Sequence, residues 1–240
     1  GADYVATGHY SRLRRQIPNT KSQIPKLLKG KDPNKDQSYF LWAVDKKKLS
    51  NVLFPVGGYK KTRVRKLARE FNLPNSDRKD SQGICFIGKV NVGNFLTQYI
   101  DNKPGTIINS AGEEVGRHAG LHFYTIGQRR GIKIGGGPPY YVAQKKYSDN
   151  TLVVAREYDT NLMRESLTAS NINWLSSKPK FPFKCAAKIR YRQEDQDAII
   201  KYEDKNGVFV EFEDPQRAVT SGQSIVFYKG EELVGGGIIS

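Results

Sequence analysis

The 240-residue sequence predicts an α/β segment followed by β structure, a small β-rich central module and then a terminal barrel of six strands. Three observations carry that reading. An apolar run, Tyr4-Val5-Ala6, ends in Thr7-Gly8-His9, as strands do at the edge of an α/β sheet where ligands bind. Residues 61–71 repeat apolar positions at helical spacing. From Pro104 almost to the end, β-branched residues alternate with turn residues.

In order along the chain, Tyr4-Val5-Ala6 reads as a buried strand, and residues 12–30 read as a basic, turn-rich stretch. Lys35-Asp36-Gln37-Ser38 offers cap residues ahead of Tyr39-Phe40-Leu41-Trp42, so a helix is predicted from near Ser38. Val64, Leu67, Ala68 and Phe71 share one face of a second helix, with Arg63, Lys66 and Arg69 elsewhere and Pro74 closing it. Asn94 to Ile100 fits one short helix. Thr106-Ile107-Ile108 and Glu114-Val115 flank Ser110-Ala111-Gly112, a hairpin signal, and Thr151 to Val154 is a further strand. Residues 185–191, 198–202, 208–212 and 224–228 are strand-length runs, and Asn206-Gly207 supplies a tight turn between two of them. These changes of character divide the chain into 1–94, 95–160 and 161–240.

Lys and Arg outnumber Asp and Glu by 39 to 24, a formal charge of +15 that favours a polyanionic partner, nucleic acid first. No apolar run approaches the roughly 20 residues needed to span a bilayer, and the first residues lack the order of a signal peptide. No membrane partner is expected. Two cysteines are too few for a disulfide framework or a closed zinc site, which suits a reduced compartment, the cytoplasm.

Cys85 lies between Gly83 and Gly88, with Arg78, Lys79 and Lys89 near enough in sequence to favour its thiolate. Taken alone it fits better a small buried hydrophobe beside Ile84, Phe86 and Ile87. Cys185 sits in an alternating strand and reads as core. His9 follows a strand-ending glycine, whereas His118 and His122 lack metal-ligand spacing, so no metal is expected. Lys35-Asp36-Gln37 suits contact with phosphates and bases, or a solvated cap. Gly127-Gln128-Arg129-Arg130-Gly131 and Gly135-Gly136-Gly137 match neither a P-loop nor a dinucleotide site. The paired arginines fit contact to an RNA backbone, or an exposed turn. Arg190-Tyr191-Arg192-Gln193 and Pro215-Gln216-Arg217-Ala218 interleave cation, aromatic and amide groups, which suits phosphate contact with base stacking.

In order, Ala6-Thr7-Gly8-His9-Tyr10, Asp32 to Leu41, Leu53-Phe54-Pro55-Val56-Gly57, Lys79 to Gly88, Tyr124 to Arg129, Ala187 to Gln193 and Pro215 to Val219 resemble the tRNA-specific 2-thiouridylase family. The resemblance implies the C-terminal part of a PP-loop ATP-pyrophosphatase domain over 1–94, a central domain over 95–160 and a tRNA-binding β-barrel over 161–240. It implies a sulfurtransferase that replaces the 2-oxygen of the wobble uridine of tRNA. ATP, with Mg, adenylates that oxygen, and a cysteine persulfide loaded by a sulfur-donor protein supplies the sulfur. By the same resemblance Cys85 carries the persulfide, Gly8 lies at the ATP site, and His9 touches tRNA. Lys35, Asp36, Gln37, Arg190, Tyr191 and Gln216 match further tRNA contacts.

The family's PP-loop, its aspartate and its second catalytic cysteine have no counterpart in these 240 residues. That departure implies a chain starting inside the catalytic domain and unable to adenylate uridine alone. The competing class is a tRNA- or RNA-binding module that needs a separate PP-loop segment for activity. An argininosuccinate-synthase-like ligase is disfavoured, because the cysteine and barrel motifs would have no role in it. One candidate ligand carries no argument for an iron–sulfur cluster.

Overall fold

The computed structural model describes residues 1–15, 25–78, 95–132, 134–135 and 137–240. The chain forms two compact units, Gly1–Arg78 with Glu165–Asp214 and Ser221–Ser240, and Lys79–Arg164 with Pro215–Thr220.

In the N-terminal segment, β1 (Val5–Ala6) pairs with a strand as short as itself, so it is not the buried strand the sequence suggested. Tyr4 is 53% and Val5 59% exposed, because a two-residue ladder brings no layer to cover them. The basic stretch is also corrected, since β2 (Ser11–Arg14) and β3 (Lys26–Lys29) form an antiparallel hairpin. Leu27 and Leu28 are buried there between lysines, a short apolar signal that composition hides. Ser38–Leu41 is one 3-10 turn rather than the start of a longer helix, with Tyr39 and Leu41 buried. β4 (Val52–Leu53) runs parallel to β1. Between them and α1 (Lys61–Glu70), Gly57 lies against β2, and a Cβ there would stand 1.6 Å from the Ser11 carbonyl oxygen. The Asp32 carboxylate accepts the Lys61 N–H at 2.9 Å and so caps α1 from a distance in sequence. Val64, Leu67 and Ala68 are half-buried as their spacing predicts, while Phe71 is 68% exposed.

The second unit holds the predicted hairpin, β5 (Gly105–Ile108) with β6 (Glu114–His118), together with β7 (Tyr141–Lys146) and β8 (Thr151–Ala155). Strand order is β6-β5-β8-β7, with β5 and β8 parallel and the other pairs antiparallel. Ile107, Leu121, Tyr124, Ile132, Val142, Leu152 and Val154 pack as its core.

The barrel is built from β9 (Met163–Trp174), β10 (Phe183–Lys188), β11 (Gln196–Asp204), β12 (Gly207–Arg217), β13 (Ser224–Lys229) and β14 (Glu232–Ile239). They follow one another as β9-β12-β11-β10-β13-β14, and β14 returns to β9, which closes six strands and removes the edges an open sheet would expose. Gly207 takes φ 128° at the predicted turn, and a Cβ there would meet the Ala169 carbonyl oxygen at 1.9 Å. The start of β14 also pairs with β3, so the N-terminal hairpin extends the barrel sheet. Leu27, Tyr39, Leu41, Leu49, Leu175, Val226, Tyr228 and Leu233 then form one core shared by hairpin, turn and barrel.

Candidate nucleic-acid interface

The segment Lys35-Asp36-Gln37 is held in place from below. Asp36 Oδ1 accepts the backbone N–H groups of Gly30 at 2.8 Å and Ser38 at 3.1 Å, and Oδ2 accepts the Ser38 hydroxyl at 3.0 Å. Gln37 and Tyr10 exchange two bonds: Gln37 N–H donates to the Tyr10 carbonyl at 2.9 Å, and Tyr10 N–H to Gln37 Oε1 at 3.0 Å. Just beyond, Tyr39 Oη donates to the Ser224 carbonyl at 2.9 Å and Trp42 Nε1 to Ser224 Oγ at 3.0 Å. Asn173 Nδ2 donates to the Trp42 carbonyl at 2.6 Å. Backbone groups that would otherwise be unpaired are satisfied, and the segment becomes a fixed ledge on the barrel.

A barrel turn meets that ledge. Arg190 to Gln193 is closed by Gln193 Oε1, which accepts the Ile189 N–H at 2.9 Å, and Arg192 adopts φ 65°. The turn brings the Tyr191 ring to 4.5 Å from that of Phe40 and 6.3 Å from that of Tyr39. Arg192 stands over Tyr191, its guanidinium 5.3 Å from the ring centre, while Phe40 is 53% exposed. Burial pushes the Tyr39 hydroxyl up to about 12, and the positive charge of Arg190 opposes that rise. Beneath, Asp195 pairs with Lys29 and, at 3.3 Å, with Lys188. Both lysines lie over the ring of Tyr228, whose hydroxyl shares a 3.2 Å hydrogen bond with Ser38 and is raised far above the usual tyrosine range by burial. The structure thus joins the Lys35–Gln37 segment to Arg190 and Tyr191 as one cationic and aromatic surface.

Other residues singled out in the sequence have surroundings of their own. Gly8 is exposed after β1, and a Cβ placed on it would meet no atom within 4 Å. His9 Nδ1 shares a 2.9 Å hydrogen bond with Thr7 Oγ1, and its ring meets Phe54 edge-on at 6.3 Å. Gln216 lies near the end of β12 in the second unit, only 3% exposed, next to Arg217, whose guanidinium sits 4.2 Å from the centre of the Tyr141 ring.

Three family models match in succession: the tRNA methyl transferase HUP domain over residues 1–89, the tRNA methyl transferase PRC-barrel domain over 93–156, and the aminomethyltransferase β-barrel domain over 164–239. The tRNA-specific 2-thiouridylase MnmA of Hahella chejuensis is 48% identical over the whole chain, and 66% of that relative is covered. The corresponding MnmA of Coxiella burnetii (strain RSA 493 / Nine Mile phase I) is 43% identical over the whole chain, with 67% of it covered. The chain belongs to the tRNA-specific 2-thiouridylase family. It spans between 62% and 67% of the length of such relatives. Membership accounts for the architecture of HUP-type α/β segment, PRC-barrel-type middle module and closed β-barrel.

Of the two cysteines, Cys85 falls outside the described residues. Cys185 is buried in β10, and burial, reinforced by the negative charge of Asp197, pushes its thiol up to about 12, the state of an inert core residue. Phe40 is the member of the interface that sequence reasoning did not single out. Its signal was present in the run Tyr39-Phe40-Leu41-Trp42, where a docked segment has to leave one aromatic side chain facing outward.

Proposed function

We propose that this chain forms the tRNA-holding and sulfur-carrying part of an ATP-dependent tRNA 2-thiouridylase. The observation that carries the reading is the Phe40–Tyr191 ring pair, set between Arg190, Arg192 and the fixed Lys35–Gln37 ledge. RNA loops are recognised by bases splayed onto aromatic rings while cations hold the phosphates, and this surface offers both. Lys35 and Arg190 serve the phosphates, Tyr191 and Phe40 the bases, and the Gln37 amide an edge. Asp36 acts from within, as the brace that fixes the ledge, and Gln216 as a buried support of the barrel's end. His9 adds a tRNA contact at the end of β1.

Cys85 receives sulfur as a persulfide from a donor protein, its outer sulfur attacks C2 of the adenylated wobble uridine as AMP leaves, and a second thiol, brought with the PP-loop segment, cleaves the remaining S–S bond and is left in a disulfide with Cys85. ATP supplies the adenylyl group that turns the uridine 2-oxygen into a leaving group. The open space around Gly8, at the end of a parallel strand, suits the close approach of such a nucleotide to the backbone.

The test is mass spectrometry of the wobble nucleoside after incubation of unmodified tRNA, ATP and a sulfur donor with the chain, alone and with the PP-loop segment of a relative supplied. Sulfur gained with that segment, and lost on Cys85→Ser without loss of tRNA affinity, is the expected result. Thiolation that survives Cys85→Ser removes this residue as carrier, and no sulfur under either condition with tRNA still bound leaves a binding module.

A further inference from the structure

The second unit carries a cationic feature that the interface above does not use. Between the 3-10 turn Leu121–Phe123 and β7, the segment Gly127 to Gly131 is held by its own backbone and by Gln128. Gly127 N–H donates to the Val142 carbonyl at 2.7 Å, and Val142 N–H to the Gln128 carbonyl at 3.0 Å. The Gln128 side chain accepts the Thr125 N–H at 3.0 Å through Oε1 and donates to the Arg130 carbonyl at 2.8 Å through Nε2. Gly127 and Gly131 take φ 80° and 83°, a conformation that side chains resist, so the turn is set by sequence as well as by these bonds. Its consequence is that Arg129 and Arg130 are both exposed.

Beside them is a cavity of about 350 Å³ lined by Arg129, Arg130, Ile132, Ile134, Pro139 and Tyr140 among others. A third cation, Arg156, lies against Tyr140 with its guanidinium 3.8 Å from the ring centre. Among the described residues none of these three arginines is paired with a carboxylate. The acid next in sequence, Glu157, instead accepts the Tyr141 hydroxyl at 3.1 Å. Arg129 and Arg130 line the cavity and Arg156 backs its one aromatic ring, so three guanidinium groups without a carboxylate partner among the described residues gather at a lining more polar than apolar, a costly arrangement in isolation, since like charges repel. The arrangement is relieved by a polyanion that also presents a flat apolar face. A ribonucleotide strand has that chemistry, with phosphates for the forked guanidiniums and a base for the Tyr140 ring.

We infer that the Arg129–Arg130 turn and its cavity are a second RNA-binding site of this chain, one that takes a phosphodiester segment of the tRNA. This rests on the reading of tRNA as substrate. The site works through charge and one aromatic ring rather than base-edge recognition, so it adds affinity with little preference for sequence.

The experiment is tRNA affinity as a function of salt for the full chain, for Arg129→Ala/Arg130→Ala, for Arg129→Lys/Arg130→Lys and for Arg190→Ala. The alanine pair is expected to bind about 10-fold more weakly, with a salt slope shallower by roughly 1.5 to 2, the loss of two phosphate contacts. The lysine pair, which keeps both charges, is expected to retain the slope of the parent. An alanine pair with parental affinity and slope overturns the site, and so does a lysine pair that loses the slope equally, since the turn and not the charge would then matter. If Arg190→Ala weakens binding while the alanine pair does not, the barrel interface stands and this site falls. If neither does, the tRNA-holding reading falls with it.

Discussion

The ring of Tyr191, on a barrel turn, lies 4.5 Å from the ring of Phe40, on the ledge that follows Lys35-Asp36-Gln37. Two distant stretches of sequence therefore share one surface, and their rings sit where Arg190 and Arg192 concentrate positive charge.

If that surface seats bases, Phe40→Ala and Tyr191→Ala should each weaken tRNA binding about 10-fold, the loss of roughly one stacked base. Filter binding at fixed salt reads this directly. Because Phe40 is half exposed, its replacement should cost little stability, and unchanged affinity for both variants would reduce the pair to packing.

Asp36 has a different signature. Asp36→Ala leaves the N–H groups of Gly30 and Ser38 without their acceptor and should cost about 1–3 kcal/mol of folding stability. Urea unfolding is the measurement, and Asp36→Asn, which keeps one acceptor oxygen, should fall between.

Gly57 and Gly8 should part company on substitution. Alanine at Gly57 forces a Cβ onto the Ser11 carbonyl and should destabilise by about 1–3 kcal/mol or more, lowering Tm. Alanine at Gly8 meets open space and should leave Tm unchanged, while lowering nucleotide affinity if ATP approaches there.

Cys185 yields a prediction with a definite sign. Its thiol stands at about 12 in the folded chain against 9.0 ordinarily, so the unfolded state loses the proton first as pH rises. The stability this group contributes is fully present below about pH 9 and is lost as pH climbs towards 12. Cys185→Ala should flatten the fall of unfolding free energy with pH over that window. Native alkylation at pH 8 should correspondingly spare Cys185, and prompt labelling of it would contradict its burial.

The alternation of Ala198 to Tyr202 and of Val208 to Phe212, with Asn206-Gly207 between them, already spelled out a hairpin, because inward and outward faces differ within a few residues. The Thr106 to Val115 hairpin was legible for the same reason. β14 was not, since Gly235-Gly236-Gly237 has no side chains to alternate. Its glycines answer to a neighbour far off in sequence, as a Cβ on Gly236 would stand 2.8 Å from Trp42 Cγ.

The sequence by itself determined the β-rich plan, the basic charge, the family motifs and the candidates among which a site had to be sought, all written in local order. Only the tertiary structure decided that β3 pairs with the barrel's β14, that Asp36 turns its carboxylate inward, and that Phe40 meets Tyr191. Those outcomes depend on which distant surfaces bury each other's apolar area and satisfy each other's backbone groups, and spacing along one strand carries no record of that choice.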